Sequence, residues 1–186
     1  MTNIAIFVSG NGTNCENIIR HFQNSDRARV VLVLSNKPDA YALVRAANLS
    51  VDSVVVTKKQ FSDPEHLLPV LEKYKVDFIV LAGFLLMVPD YLIQRYEGKI
   101  INLHPSLVPK YCGKGMYGHK VHQAVKAAGE TVTGITIHYV NEICDGGQTI
   151  RQFTTPIAPE DTVEDIEMKI HKLEQAYFPQ VIEEIL

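Results

Sequence analysis

Two polar residues stand where a buried strand would carry more valine. The run Ile100-Ile101-Asn102-Leu103-His104 is otherwise apolar, and Pro105 ends it. Side chains two apart on a strand share a face, so Asn102 and His104 point one way while Leu103 turns into packing. Proline biases its predecessor towards extended geometry, which leaves His104 at the rim of a sheet. A donating amide beside an imidazole suits a reaction in which a carbonyl oxygen gains negative charge and a proton is moved. The alternative is an asparagine and a histidine satisfied by loop carbonyls. Asp145, in Glu142-Ile143-Cys144-Asp145-Gly146-Gly147, would orient that imidazole and favour its protonated form, although Asp-Gly is also common hairpin-turn chemistry. A third segment, Ser9-Gly10-Asn11-Gly12-Thr13-Asn14, has glycines that expose backbone N–H groups ahead of a helix, where a phosphate is the natural guest. Thr13 and Asn14 could add side-chain donors; the plainer reading is a tight turn with an N-cap. It is no dinucleotide fingerprint, since Cys15 stands at the third glycine and Leu34-Ser35-Asn36-Lys37 lacks a ribose-binding acid.

These segments act together only if a scaffold gathers them. Apolar runs at Asn3 to Ser9, Val30 to Ser35, Val51 to Val56, Phe78 to Ala82 and Lys99 to Leu103 are nearly continuous, as in strands buried on both faces. Helical patterns fall between them, around Cys15 to Asn24, Ala40 to Asn48, Pro64 to Tyr74 and Asp90 to Tyr96. The alternation predicts an α/β fold with a mostly parallel sheet and helices on both faces. Past residue 130, TVTGITIHYV and QTIRQFTTPI read as two alternating strands around the Asp145 turn, an antiparallel C-terminal extension. A last helix begins at Asp161-Thr162 and runs to Leu186, and Pro179 should kink or split it. No repeat or linker interrupts residues 1–186, which are expected to form a single domain. In such sheets ligands bind beyond the carboxyl ends of the strands, where these polar segments fall.

Composition narrows the function classes. A chain of 186 residues can bury roughly two-thirds of its unfolded surface. Its formal charge of -3 gives no general attraction to nucleic acid or anionic membranes. Cys15, Cys112 and Cys144 are odd in number and far apart, without zinc-ligand spacing, and read as free thiols in a reducing cytoplasm. No apolar run approaches the ~20 residues of a membrane span, and the N-terminal run is too short for a signal peptide. The expectation is a cytoplasmic protein acting on small molecules. His119 and His122 have helical spacing but no evident third metal ligand; His138 either lines the pocket or is an interior histidine.

In order, SGNGTN, SNKPDA, VLAGFL, INLHPSLVPKY, TGITIHYV, DGGQTI and EQAYFP closely resemble the phosphoribosylglycinamide formyltransferases, folate-dependent enzymes of purine synthesis. The resemblance spans nearly the whole chain. It implies a Rossmann-like formyltransferase fold and formyl transfer from 10-formyltetrahydrofolate, a co-substrate, to the amine of glycinamide ribonucleotide, without a metal. It further implies Asn102, His104 and Asp145 as the catalytic set, with Gly12, Thr13, Asn14, His171 and Glu174 on the ribonucleotide. The folate would lie against Leu85, Leu86, Met87 and Val88, against Asn102, and against Asn141, Glu142, Ile143, Cys144 and Asp145.

The sequence departs from that pattern at Leu86 and Pro64, near which many members carry arginines, so the folate's glutamate tail should be held differently or more weakly. The glycine-rich CGKGMYGHKVH segment is longer than usual and reads as a flexible loop, with Lys114 and Lys120 solvated or on phosphate. Three rival functions fit these residues less well. A serine hydrolase built on Ser106 lacks the GxSxG elbow, and a non-catalytic nucleotide-binding module leaves Asn102, His104 and Asp145 idle. Other folate-dependent formyltransferases and formyltetrahydrofolate hydrolase are closer in chemistry, but the initiator-tRNA and hydrolase relatives carry an additional domain, for which a chain ending at Leu186 is expected to have no room.

Overall fold

The computed structural model describes all 186 residues. The chain runs β1 (Thr2–Val8), α1 (Thr13–Phe22), β2 (Ala28–Ser35), α2 (Tyr41–Asn48), β3 (Ser53–Val55), α3 (Lys58–Phe61) and α4 (Pro64–Lys73). It continues β4 (Phe78–Leu81), α5 (Asp90–Arg95), β5 (Ile100–His104), α6 (His119–Ala127), β6 (Val132–Tyr139), β7 (Thr149–Pro156) and α7 (Val163–Ile185). One seven-stranded sheet has the order β3-β2-β1-β4-β5-β6-β7. The first five strands pair in parallel, and β6 and β7 are antiparallel to their neighbours. The expected mixed architecture is therefore present.

The continuous apolar runs are explained by cover on both faces. Along β1, Ile4, Ile6 and Val8 pack with Ile18 and Phe22 of α1 and Phe178 and Ile182 of α7. Ala5 and Phe7 face the other way, onto Leu67 and Leu71 of α4 and Leu92 of α5. Each of these Val, Leu, Ile and Phe side chains, withdrawn from water, contributes roughly 1.5–3 kcal/mol before entropy is counted.

The structure corrects several expected details. The β6 strand does not alternate: Thr133 to His138 are buried without a break, because β6 lies inside the sheet between β5 and β7. Strand β3 spans three residues instead of six, and β2 starts two residues early. The short helix α3 was not expected, although Thr57 and Gln60 form the capping box that starts it. Pro179 does not split α7, which is continuous from Val163 to Ile185. Proline leaves the carbonyl four residues earlier without its helical donor. That carbonyl, on Gln175, accepts instead from Asn17 Nδ2 at 2.8 Å.

Candidate active site

The chain leaves β1 for β2 on one side and later returns to place β4 on the other, so a crevice opens at the carboxyl ends of β1 and β4. Ser9 joins the two rims: its N–H donates to Gly83 O at 3.0 Å, and its Oγ accepts from Leu85 N at 2.9 Å. The glycine loop follows. Gly12 caps α1 in the left-handed region (φ 77°), with no side chain satisfying the first helical N–H groups. A Cβ at Gly12 would stand 2.4 Å from Ala42 Cβ, so both backbone angle and space require glycine. The uncapped N–H groups of this turn are free to meet an anion.

Arg45 of α2, which the sequence reading did not single out, fixes this loop. Its Nε donates to Asn11 O at 2.8 Å and its Nη2 to Asn11 Oδ1 at 3.1 Å, while Nη1 pairs with Glu16. The Arg45 and Arg20 hydrogen bonds hold the Glu16 carboxyl below its ordinary range. Thr13 is exposed at the helix start, but the Asn14 side chain is not the free donor that was expected. Its Nδ2 donates to Glu174 Oε2 at 2.9 Å, and its Oδ1 accepts from Gln175 Nε2 at 3.1 Å. Asn14 therefore ties the loop to α7 and brings Glu174 beside it. Burial raises the Glu174 carboxyl above its ordinary range, against the opposing Asn14 hydrogen bond. His171, one turn earlier, is exposed, with Nε2 3.9 Å from Glu167 Oε1.

At the β5 rim the structure brings Asn102, His104 and Asp145 together. His104 is buried with Nδ1 3.4 Å from Asp145 Oδ2, and its Nε2 lies 2.8 Å from Tyr111 O. A carbonyl only accepts, so Nε2 carries a proton and Nδ1 faces the carboxylate. Asn102 Nδ2 donates to Asp145 Oδ1 at 3.4 Å. His138 completes the cluster. It is paired across from Asn102 in the β5–β6 ladder, with Nε2 3.2 Å from Asn102 Nδ2 and 3.6 Å from Asp145 Oδ1. Asp145 sits in the left-handed region (φ 54°) and accepts from Gly113 N at 2.9 Å. Burial opposes its ionisation, but the His138 and Gly113 hydrogen bonds and the nearby His104 outweigh burial and hold the carboxyl below its ordinary range. Gly147 allows this turn to close, since a Cβ there would fall 1.7 Å from Tyr139 O.

The turn after β5 is pinned by polar groups. Thr136 Oγ1 donates to Ser106 O at 2.7 Å and accepts from Val108 N and Gln152 Nε2, each at 3.0 Å. Ser106 is fully buried and donates to Lys110 O at 2.6 Å, which leaves it no role as an exposed nucleophile. His119 is bonded to Glu167 of α7, and His122 is buried between the helices with Nδ1 unpartnered. Burial lowers His122 to about 4.

The segment expected to meet the folate divides by exposure. Leu85, Met87 and Ile143 are 46%, 59% and 67% exposed. Leu86 and Val88 are half-buried against the core on the α4 and α5 side, so they turn away from solvent. Asn141 Oδ1 accepts from Ile143 N at 2.9 Å and shapes the loop that carries Glu142 and the half-buried Cys144.

Comparison with known proteins gives the family. Residues 2–182 match the formyl transferase family. The phosphoribosylglycinamide formyltransferase of Haemophilus influenzae is 39% identical over 98% of this chain and 86% of its own. That of Bacillus subtilis is 37% identical over 100% of this chain and 95% of its own. The crystal structure of glycinamide ribonucleotide transformylase 1 from Geobacillus kaustophilus superposes with a TM-score of 0.91 at 35% identity, covering 100% of this chain and 99% of that one. The chain belongs to the formyl transferase family, among its phosphoribosylglycinamide formyltransferases.

Proposed function

We propose that residues 1–186 form one formyltransferase domain that transfers the formyl group of 10-formyltetrahydrofolate to the amine of phosphoribosylglycinamide, in the cytoplasm. The observation that carries this reading is the convergence of Asn102, His104 and Asp145 at one strand rim, beside a helix N-terminus without a side-chain cap. The N–H groups after Gly12 take the phosphate, with Thr13 and the backbone of Asn14 (Asn14's side chain being committed elsewhere), and Glu174 and His171 reach the ribose from α7. Leu85, Met87 and Ile143 offer apolar contact to the folate ring system, with Asn141, Glu142, Cys144 and Asp145 supplying polar edges. Leu86 carries no charge for the folate's glutamate tail.

The nucleophile belongs to the substrate, so the protein needs no reactive serine or cysteine. As the amine attacks the formyl carbon, Asn102 and His104 donate to the oxygen that gains charge. Losing one such donor typically costs ~3 kcal/mol of barrier. At rest these donors are held by protein groups: Asn102 by the long contacts at 3.2 and 3.4 Å, His104 by Tyr111 O. Productive binding exchanges the Tyr111 carbonyl for the formyl oxygen at His104 Nε2. Asp145, ionised and facing Nδ1, holds the imidazole in place and draws the proton from the attacking amine towards the departing folate nitrogen.

The test follows tetrahydrofolate formation by absorbance with and without phosphoribosylglycinamide. Turnover that depends on the ribonucleotide is expected. Equal turnover without it would identify hydrolysis instead.

A further inference from the structure

Two cysteine-bearing loops meet at Asp145. Cys144 precedes it in the β6–β7 turn, with Sγ 3.8 Å from Oδ2. Cys112 precedes Gly113, whose N–H donates to that same Oδ2 at 2.9 Å. One carboxylate oxygen thus meets the Cys144 thiol and the backbone N–H that follows Cys112. Both thiols are half-buried, and Cys112 Sγ is parked on Pro109 O at 3.3 Å. Both lie beside residues in the left-handed region, Tyr111 (φ 52°), Gly113 (φ 90°) and Asp145 (φ 54°), in loops outside the sheet. Nothing in the proposed transfer uses Cys112.

We propose that Cys112 and Cys144 form a reversible disulfide that ties the loop after β5 to the β6–β7 turn and takes Asp145 out of its position at His104. The oxidant is a peroxide. One thiolate attacks a peroxide oxygen and expels hydroxide, leaving a sulfenic acid. The other thiolate attacks that sulfur, the S–S bond forms and water leaves. Two thiols and one hydrogen peroxide become one disulfide and two waters. To close the bridge, Cys112 Sγ turns from Pro109 O, and the Gly113 hydrogen bond to Asp145 is given up.

Burial and the Asp145 charge push both thiols above their ordinary value, and Cys112 itself adds to the rise at Cys144. Only the thiolate attacks, so the bridge forms slowly at neutral pH and faster in alkali. This is a response to sustained oxidation, not to a brief pulse. Cys15 serves as an internal control: it is fully buried on the inner face of α1 and pushed up to about 12, so it stays reduced.

The effect on activity rests on the role proposed for Asp145; the bridge itself does not. The experiment incubates the dilute protein with hydrogen peroxide and reads peptide masses without reduction, alongside formyl transfer. The expected result is a Cys112–Cys144 linked peptide within one chain, with activity falling roughly 100-fold in step and returning with dithiothreitol. Cys112→Ser and Cys112→Ala keep basal activity and resist the same treatment. Inactivation without the linked peptide, or at an unchanged rate in both variants, overturns the bridge. A linked peptide with full activity supports the bridge and contradicts the role given to Asp145.

Discussion

His138 turns its Nε2 to Asp145, 3.6 Å from Oδ1, while His104 addresses the other oxygen of the same carboxylate. Its Nδ1 donates to Tyr139 O at 2.9 Å, and its Nε2 also lies 3.2 Å from Asn102 Nδ2. His138 thus stands against both the carboxylate and the amide proposed to meet the formyl oxygen. Replacing His138 by alanine should lower kcat about 10- to 100-fold, a barrier increase of roughly 1.4–2.7 kcal/mol. KM for the ribonucleotide should stay near wild type in steady-state assays. A loss confined to KM would show that His138 shapes binding and not the amide.

Arg45 spreads its guanidinium over Asn11 and Glu16 and never needs to touch the ribonucleotide. Lysine keeps the charge but cannot address three acceptors in fixed geometry. Arg45→Lys should raise KM for the ribonucleotide about tenfold, equivalent to ~1.4 kcal/mol, with kcat and KM for the folate unchanged. Equal increases in both KM values would point to general loosening of the fold.

Glu174 illustrates a site held at the expense of stability. Its carboxyl is raised by burial, so the native state binds that proton more tightly than the unfolded chain. Stability is then lost as pH climbs from the unfolded value near 4.5 through the raised one. Glu174→Gln retains an acceptor for Asn14 and removes the buried charge. Its thermal midpoint should be ~2–4 °C higher at about pH 7.5, with the gap closing near about pH 4. KM for the ribonucleotide should rise. A midpoint that falls at neutral pH would contradict the assigned burial cost.

The sequence displays what depends on patterns of side chains. Parallel strands covered on both faces read as continuous apolar runs, and strand ends carry polar residues, so the sheet and the positions of Asn102, His104 and Gly12 were legible. Asp145 was legible as a candidate, but not its shared contact with two imidazoles. Contacts made by the backbone left no trace: the Tyr111 carbonyl on His104 and the Gly113 N–H on Asp145 have no residue signature. Arg45 was hidden because its partners lie 34 and 29 positions away, and a lone arginine on an amphipathic helix looks solvated. Pro179 misled because the donor replacing its missing N–H belongs to Asn17, on another helix. His138 could have been promoted from its face, since a strand paired with β5 sets it opposite Asn102.

The most direct test of the proposed chemistry is single-turnover formyl transfer by Asp145→Asn, measured with the dissociation constant for the ribonucleotide. Asparagine preserves shape but removes the charge facing both imidazoles. The rate should fall roughly 100-fold or more while the dissociation constant stays within about twofold. A near-wild-type rate, or a loss confined to binding, would contradict the role of Asp145 in moving the proton.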